Sequence, residues 1–311
     1  MTRELTIGTR RSRLALWQAR RVRSQLENAG HRVAIQEITT KGDRILDQPL
    51  ADIGDKGLFT KELDVALLNG EIDVAVHSLK DLPTQLPPGI CLAAIGERAD
   101  PGDALITHPK VNGLLADLPE GSTLATSSLR RKAQLLAWRP DLNVVPVRGN
   151  VPTRIQKLDE SSWEGIVLAV AGLQRLELTN RIAEKISYDV VLPAVGQGAL
   201  GILCREDDGR TLDIVRDAVH DEDAAAAVLA ERALLRRLEG GCQVPIGAYA
   251  TVQGHSLSMV ACVASLDGSR IIRERIDGVT EAARALGVSL AETLLSRGAN
   301  AILDEIRRQE P

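Results

Sequence analysis

The chain has 311 residues, enough for two or three domains with substantial cores. Hydrophobic residues make up 44% and charged residues 26%, as in ordinary globular proteins, while a net charge of −4 and only 2% aromatics argue against a nucleic-acid or anionic-membrane surface. Four scattered cysteines without a CxxC pair argue against a zinc site or disulfide framework and fit a reducing compartment. No apolar run is long enough to span a bilayer, and the first residues lack the apolar core of a signal peptide, so the expected location is the cytoplasm.

In chain order, "ELTIGT" reads as a strand and "RLALWQARRVRSQLENAG" as an amphipathic helix stopped at Gly30. "RVAIQEITT" is the next strand. "FTKELDVALLNG" is a helix with Thr60 as N-cap and Gly70 as stop, and "IDVAVHS" a short buried strand. A second cycle starts near Pro101. It runs "STLATS" (strand), "SLRRKAQLLAWR" (helix), "LNVVPV" (strand), "VPTRIQKL" (helix) and "GIVLAVAG" (strand). The helical turns "LQRLEL" and "TNRIAEKI" follow, then the strand "GALGILCRED". This βαβ rhythm predicts an α/β protein with mostly parallel sheets. After Asp208 the rhythm changes. A long helix, "DEDAAAAVLAERALLRRLEGG", precedes three strands, "PIGAYATV", "SLSMVACVAS" and "RIIRERID", and a closing helix over residues 280–297, which together read as a small α+β domain. Residues 40–57 show no clean periodicity, and a connection that long inside a compact domain is commonly functional or disordered.

Several segments have the composition of a binding or reaction site. Arg10, Arg130, Arg131, Arg148, Arg154 and Arg175 recur near the carboxyl ends of predicted strands, where open α/β sheets bind ligands. A guanidinium fork matches a carboxylate, and "TSSLRR" opens a helix whose hydroxyls and free amides add donors. The arginines read either as solvated surface charge or as a polyanion site, and their repetition across two βα cycles favours the site. No GxxxxGK[ST] loop supports a phosphate version. In "AVHSLKDLP", Asp81 stands either as a carboxylate beside a developing cation or as an Asx-type turn before Pro83, and His77 alone reads as structural. Cys91, Cys204 and Cys262 lie in apolar runs and read as buried hydrophobes. Cys242, in "EGGCQVPIG", sits at a glycine-flanked corner where apolar burial gives no reason for a thiol.

Taken together, "GTRRSRLALWQA", "DKGLFTKELD", "AVHSLKDLP", "ATSSLRR", "RGNVPTR", "LAVAGLQRL", "LPAVGQGA" and "EGGCQVPIG" closely resemble, in that order, the porphobilinogen deaminase (hydroxymethylbilane synthase) family. The resemblance implies a transferase of haem and tetrapyrrole biosynthesis. It would condense four porphobilinogen molecules with loss of ammonia onto a covalent dipyrromethane primer, then release hydroxymethylbilane by hydrolysis. By the same resemblance Cys242 carries the dipyrromethane through a thioether, and Asp81 is the catalytic carboxylate. Lys80, Thr126, Ser127, Ser128, Arg130, Arg131, Arg148 and Gln197 contact the cofactor. Arg10, Ser12, Phe59, Arg148, Arg154 and Arg175 contact substrate, no metal is used, and residues 40–57 match a mobile loop. The implied fold is two type II periplasmic-binding-protein-like α/β domains, residues 1–98 with 198–216 and residues 99–197, followed by an α+β domain, 217–311, that bears the cysteine. The implied partners are small molecules only, and the implied state a monomer. Ala125 departs from the glycine more usual in the family before "TSS"; Arg13 and Pro152 fall where the family varies.

A rival class is a binding module that uses the same arginines to hold a carboxylate ligand. It leaves Cys242 and Asp81 without a task, and reversible binding without ammonia release would distinguish it.

Overall fold

A computed structural model of the chain describes residues 4–44, 60–238 and 244–309. The chain begins with β1 (Glu4–Arg10), α1 (Arg13–Asn28), β2 (Arg32–Ile38), the single turn α2 (Lys41–Arg44), α3 (Lys61–Leu68), β3 (Val74–Ser78) and β4 (Ile90–Ile95). β5 (Asp103–Thr107), β6 (Thr123–Ala125), α4 (Leu129–Trp138), β7 (Asn143–Val145), α5 (Val151–Glu160), β8 (Gly165–Ala169), α6 (Val170–Arg175) and β9 (Glu184–Lys185) come next. After them come β10 (Leu200–Arg205), α7 (Gly209–Val219) and α8 (Glu222–Arg237). β11 (Ile246–Gln253), β12 (Ser256–Ala264), β13 (Ile271–Val279), α9 (Ala283–Leu294) and α10 (Asn300–Gln309) complete it. The described residues fall into two units: 4–44, 60–99 and 198–225 form the first, and 100–197, 226–238 and 244–309 the second.

In the first unit, the Ser12 hydroxyl accepts from the Ala15 amide at 3.2 Å and starts α1, a cap that contributes about 1 kcal/mol. Ala19, Val22 and Leu26, spaced three and four apart, bury against Leu5, Ile7, Val74, Val76 and Ile202. The sheet order is β2-β1-β3-β10-β4. β1 is parallel to β2 and β3, but β10 runs antiparallel between β3 and β4. The mostly parallel sheet expected from the βαβ rhythm is therefore mixed. Periodicity is local, and β10 arrives from far downstream.

The second unit holds a sheet of the same pattern, β7-β6-β8-β5-β9, with β6 parallel to β7 and β8 and β5 antiparallel to β8 and β9. Ala125 lies in β6, fully buried in one cluster with Ala104, Ile106 and Ile166. The predicted strand "GIVLAVAG" ends at Ala169, where α6 begins. Of the predicted helical turns in "TNRIAEKI", only Thr179–Arg181 forms one, while Glu184 and Lys185 pair with β5.

The third sheet, β11-β12-β13, is antiparallel and buries one face in a cluster that takes in Leu234, Leu290, Leu294 and Ile302 from α8, α9 and α10. The closing helix expected over 280–297 is interrupted. α9 ends at Leu294, a π-turn follows over Leu295–Ala299, and Gly298, at φ +102°, separates it from α10. No helix among the described residues is long and apolar enough to cross a membrane.

Candidate active site

Cys242, Phe59 and most of the predicted loop, residues 45–57, lie outside the described residues. Apart from Gln197, which lies in the turn before the antiparallel strand β10, the other predicted site residues follow the carboxyl ends of parallel strands, a group in each unit.

In the first unit, β1 ends on Arg10, and Ser12 caps α1 two residues later. The neighbouring parallel strand β3 ends on Ser78 and turns through a 3-10 turn, Leu79–Asp81, that presents an exposed Asp81 and a half-buried Lys80. Leu79 anchors this turn, with its side chain 1% exposed and its amide donating to Ala199 O at 3.1 Å. His77 is buried, and its Nε2 has no hydrogen-bond partner. Burial, with the Arg10 charge adding to it, pushes the His77 imidazole down to about 4, so its neutral form prevails at neutral pH. Gln18 of α1, which the sequence reading passed over, is 2% exposed and donates to Ser78 Oγ at 2.7 Å.

In the second unit, the "ATSSLRR" stretch runs from β6 into α4. Thr126 is buried, and its Oγ1 accepts from the Ser128 amide at 3.2 Å. Ser127 Oγ donates to Val147 O at 2.7 Å and accepts from the Val147 amide at 2.9 Å, which ties the turn to the chain after β7. Ser128 caps α4 by accepting from the Arg131 amide. Arg148 follows β7, and Arg154 lies in α5, where its Nε donates to Gly149 O at 2.7 Å. Gly149 has φ +117°, and a Cβ there would meet Thr153 at 2.8 Å, which explains the glycine in "RGNVPT". Arg175 ends α6. Burial pushes its guanidinium down to about 10, still charged at neutral pH.

Arg130 and Arg131 depart furthest from the surface expectation, each being 5% exposed. They share one carboxylate, Asp103, which is fully buried at the start of β5. Arg130 Nη1 lies 2.7 Å from Oδ2 and Arg131 Nη2 2.7 Å from Oδ1. Arg130 Nη1 also donates to Leu192 O at 2.6 Å and Arg131 Nη1 to Val167 O at 2.9 Å, while both Nε atoms lack hydrogen-bond partners. Burial alone would raise the Asp103 carboxyl, but the two guanidiniums more than reverse this and hold it well below the usual carboxylate range. Gln197 completes the cluster, its Nε2 donating to Asp103 Oδ1 at 2.9 Å and Pro101 O at 2.6 Å.

The sequence reading also missed Asp103 and Glu231. Glu231, fully buried in α8, accepts from the Gly196 amide and the Ala250 amide, each at 2.8 Å, and so fixes the turn that carries Gln197. The available signal was a lone carboxylate inside an apolar run, in "GDALIT" and "VLAERALL", because a buried charge needs a partner.

Burial disfavours the thiolate form of the three described thiols, Cys91, Cys204 and Cys262. Burial raises Cys91, lifts Cys262 to about 11 and pushes Cys204 further up. A groove of about 1110 Å³ on the open face of β11–β13 is lined by Tyr188, Tyr249, Thr251, Ser258, Arg273 and Asp277 among others, and by none of the predicted site residues.

A family model described as "Porphobilinogen deaminase, dipyromethane cofactor binding domain" matches residues 5–213, and one described as "Porphobilinogen deaminase, C-terminal domain" matches residues 225–296. The porphobilinogen deaminase of Syntrophotalea carbinolica is 57% identical over 301 residues, 96% of this chain and 95% of its own length. That of Pelobacter propionicus is 50% identical over 99% of each chain. That of Geobacter sulfurreducens is 51% identical over 98% of this chain and 96% of its own. Among solved structures, the methionine binding protein MetQ is similar over 69% of this chain and 89% of its own, at 14% identity and a TM-score of 0.44, a likeness too weak to add to the strand orders above. On two family models and full-length relatives above 50% identity, the chain belongs to the porphobilinogen deaminase family.

Proposed function

We propose that this chain condenses porphobilinogen units, with release of ammonia, onto a dipyrromethane held by Cys242, and releases hydroxymethylbilane by hydrolysis. The family activity is a transferase step of tetrapyrrole biosynthesis that uses a covalently bound dipyrromethane cofactor. When bound, that cofactor supplies the terminal pyrrole carbon to which the substrate rings are joined.

The observation that carries the reading is the buried cluster of Arg130, Arg131 and Asp103. Two guanidiniums against one carboxylate leave an excess positive charge inside the protein, with two Nε–H donors unpaired. A buried charge excess calls for an anion. A dipyrromethane, whose pyrroles carry acetate and propionate groups, has the matching chemistry, so the residues fit the cofactor. In this reading Arg130 and Arg131, with Lys80 and Arg148, hold primer carboxylates. Arg10, Arg148, Arg154 and Arg175, with Ser12 and Phe59, hold those of incoming substrate and the growing chain. Thr126, Ser127, Ser128 and Gln197 add neutral contacts to the cofactor beside the hydrogen bonds by which they shape the turn and the cluster.

Asp81 stands exposed on a turn anchored by Leu79. In this reading its carboxylate stabilises positive charge on a pyrrole nitrogen as ammonia leaves, and takes up a proton afterwards. His77, buried and with its charged form disfavoured by burial and by Arg10, is poorly suited to that task. We further assign residues 1–98 with 198–216, 99–197 and 217–311 to three domains, the last bearing the cysteine, and propose a cytoplasmic monomer.

Intact-protein mass spectrometry of the purified chain tests the reading. Wild type should carry a dipyrromethane mass that resists thiol reductants and is absent from Cys242→Ser. Asp81→Ala should keep that mass and lose turnover by about a hundredfold or more. Active protein with an unmodified Cys242 overturns the attachment, and near-wild-type turnover in Asp81→Ala overturns the role of Asp81.

A further inference from the structure

We propose that Asp103 is a positioning residue for primer binding: by taking one guanidinium on each carboxylate oxygen, it aims Arg130 and Arg131 at a single primer carboxylate. The inference rests on the reading that these two arginines hold the primer.

Arg130 and Arg131 are adjacent on α4, and adjacent helical residues do not face each other. Left alone, their like-charged heads would diverge and repel. Here they converge, because Asp103 Oδ2 and Oδ1 each hold one Nη at 2.7 Å. Each head is then pinned from a second side, Arg130 by Leu192 O and Arg131 by Val167 O. Asp103 is itself fixed, since it starts β5, is fully buried, and accepts from Gln197 Nε2 at 2.9 Å. The turn that holds Gln197 is tied down by Glu231 of α8 through the Gly196 amide. Hydrogen bonds joined through the Gly196–Gln197 backbone thus run from α8 to the two guanidiniums.

The charge count adds a second function. One carboxylate neutralises one of two buried cations, which permits burial and leaves one positive charge for the ligand. No carboxylate at position 103 would leave two buried charges to repel each other. A further acidic residue in the cluster would cancel the attraction for the primer. The single aspartate is therefore the arrangement that both buries the pair and keeps it anion-selective.

The test compares Asp103→Asn, Asp103→Glu and Arg131→Leu with wild type in full-length protein. Folding is read by far-UV circular dichroism and thermal unfolding, and primer occupancy per folded molecule by intact mass. Asp103→Asn should fold and carry the dipyrromethane mass at an occupancy reduced about tenfold or more, as expected when a buried charge pair loses one partner. A destabilising change without a positioning role would leave the occupancy of folded molecules at the wild-type level, and that result overturns the proposal. If Asp103→Asn does not fold, Asp103→Glu decides, since it keeps the charge and moves the carboxylate one methylene further out. Reduced occupancy in folded Asp103→Glu supports the proposal, and wild-type occupancy overturns it. If neither variant folds, Asp103 belongs to stability alone and the positioning role fails. Arg131→Leu separates the two levels: full occupancy there overturns the primer-holding reading itself, whereas its loss beside a fully occupied Asp103→Asn overturns only the role of Asp103.

Discussion

Asp64, in the first turn of α3, is 8% exposed, and its Oδ1 has no hydrogen-bond partner. Burial pushes its carboxyl up to about 6; a hydrogen bond from Thr60 opposes this and the nearby Glu62 charge adds to it. Between the ordinary aspartate value and about 6, the folded state therefore holds more protons than the unfolded one. Stability falls as pH rises through that window, and the cost is fully present above it. Asp64→Asn should stabilise the protein by about 1 kcal/mol at pH 7.5, after allowance for solvent screening, and make no difference at pH 4. Thermal unfolding of both proteins at the two pH values checks this, and a gap that narrows toward neutral pH contradicts it. Asp103 shows the opposite outcome of burial: two partners hold it ionised, whereas no ion pair of Asp64 is found among the described residues. The partners that decide their charge are not legible in the sequence, for one reason. Burial and pairing depend on residues far along the chain, and Arg130 and Arg131 lie 27 and 28 positions from Asp103.

Among the elements, α1 was readable because everything that makes it a helix is local: the Ser12 cap, the apolar spacing of Ala19, Val22 and Leu26, and Gly30 at φ +89° past its end. α6 and β9 were not. Their residues carry apolar and mixed patterns that either structure accepts, and for β9 pairing with β5 decided the outcome. Gly287 shows the limit from another side. It lies in α9, where glycine is a poor helix former, yet a Cβ there would stand 2.0 Å from Ala230 O of α8. Gly287→Ala gains helix propensity and loses the close approach of two helices. The clash dominates, because the obstructing atom is backbone. A net loss of about 2 kcal/mol is expected by denaturant unfolding, with the midpoint moved to lower urea, and an unchanged midpoint would show that the helices separate at no cost.

Across the molecule, the chain leaves the first unit after β4 and returns to it with β10 and α7. β10 supplies the only partner of β4 among the described strands and lies beside β3, so neither pairing exists without it. Leu200, Ile202, Cys204, Val215 and Val219 also complete the core beneath α1. A fragment of residues 1–99 should therefore lack a cooperative thermal transition. The same fragment joined to residues 198–225 by a short Gly-Ser linker should show one, since the Ala99 amide donates to Gly198 O at 3.1 Å where the two pieces meet. Cooperative folding of residues 1–99 alone would refute this view of the unit.

The sequence alone was sufficient for the fold class and the family, because short motifs, caps and apolar periods act over a few positions and survive in linear order. The insertion of β10 between β3 and β4, the mixed sheets that result, and the burial of Arg130 and Arg131 on Asp103 were settled by the folded chain. Each is a pairing between distant segments. Its energy comes from excluding water around both partners at once, and no local pattern in either partner carries that information.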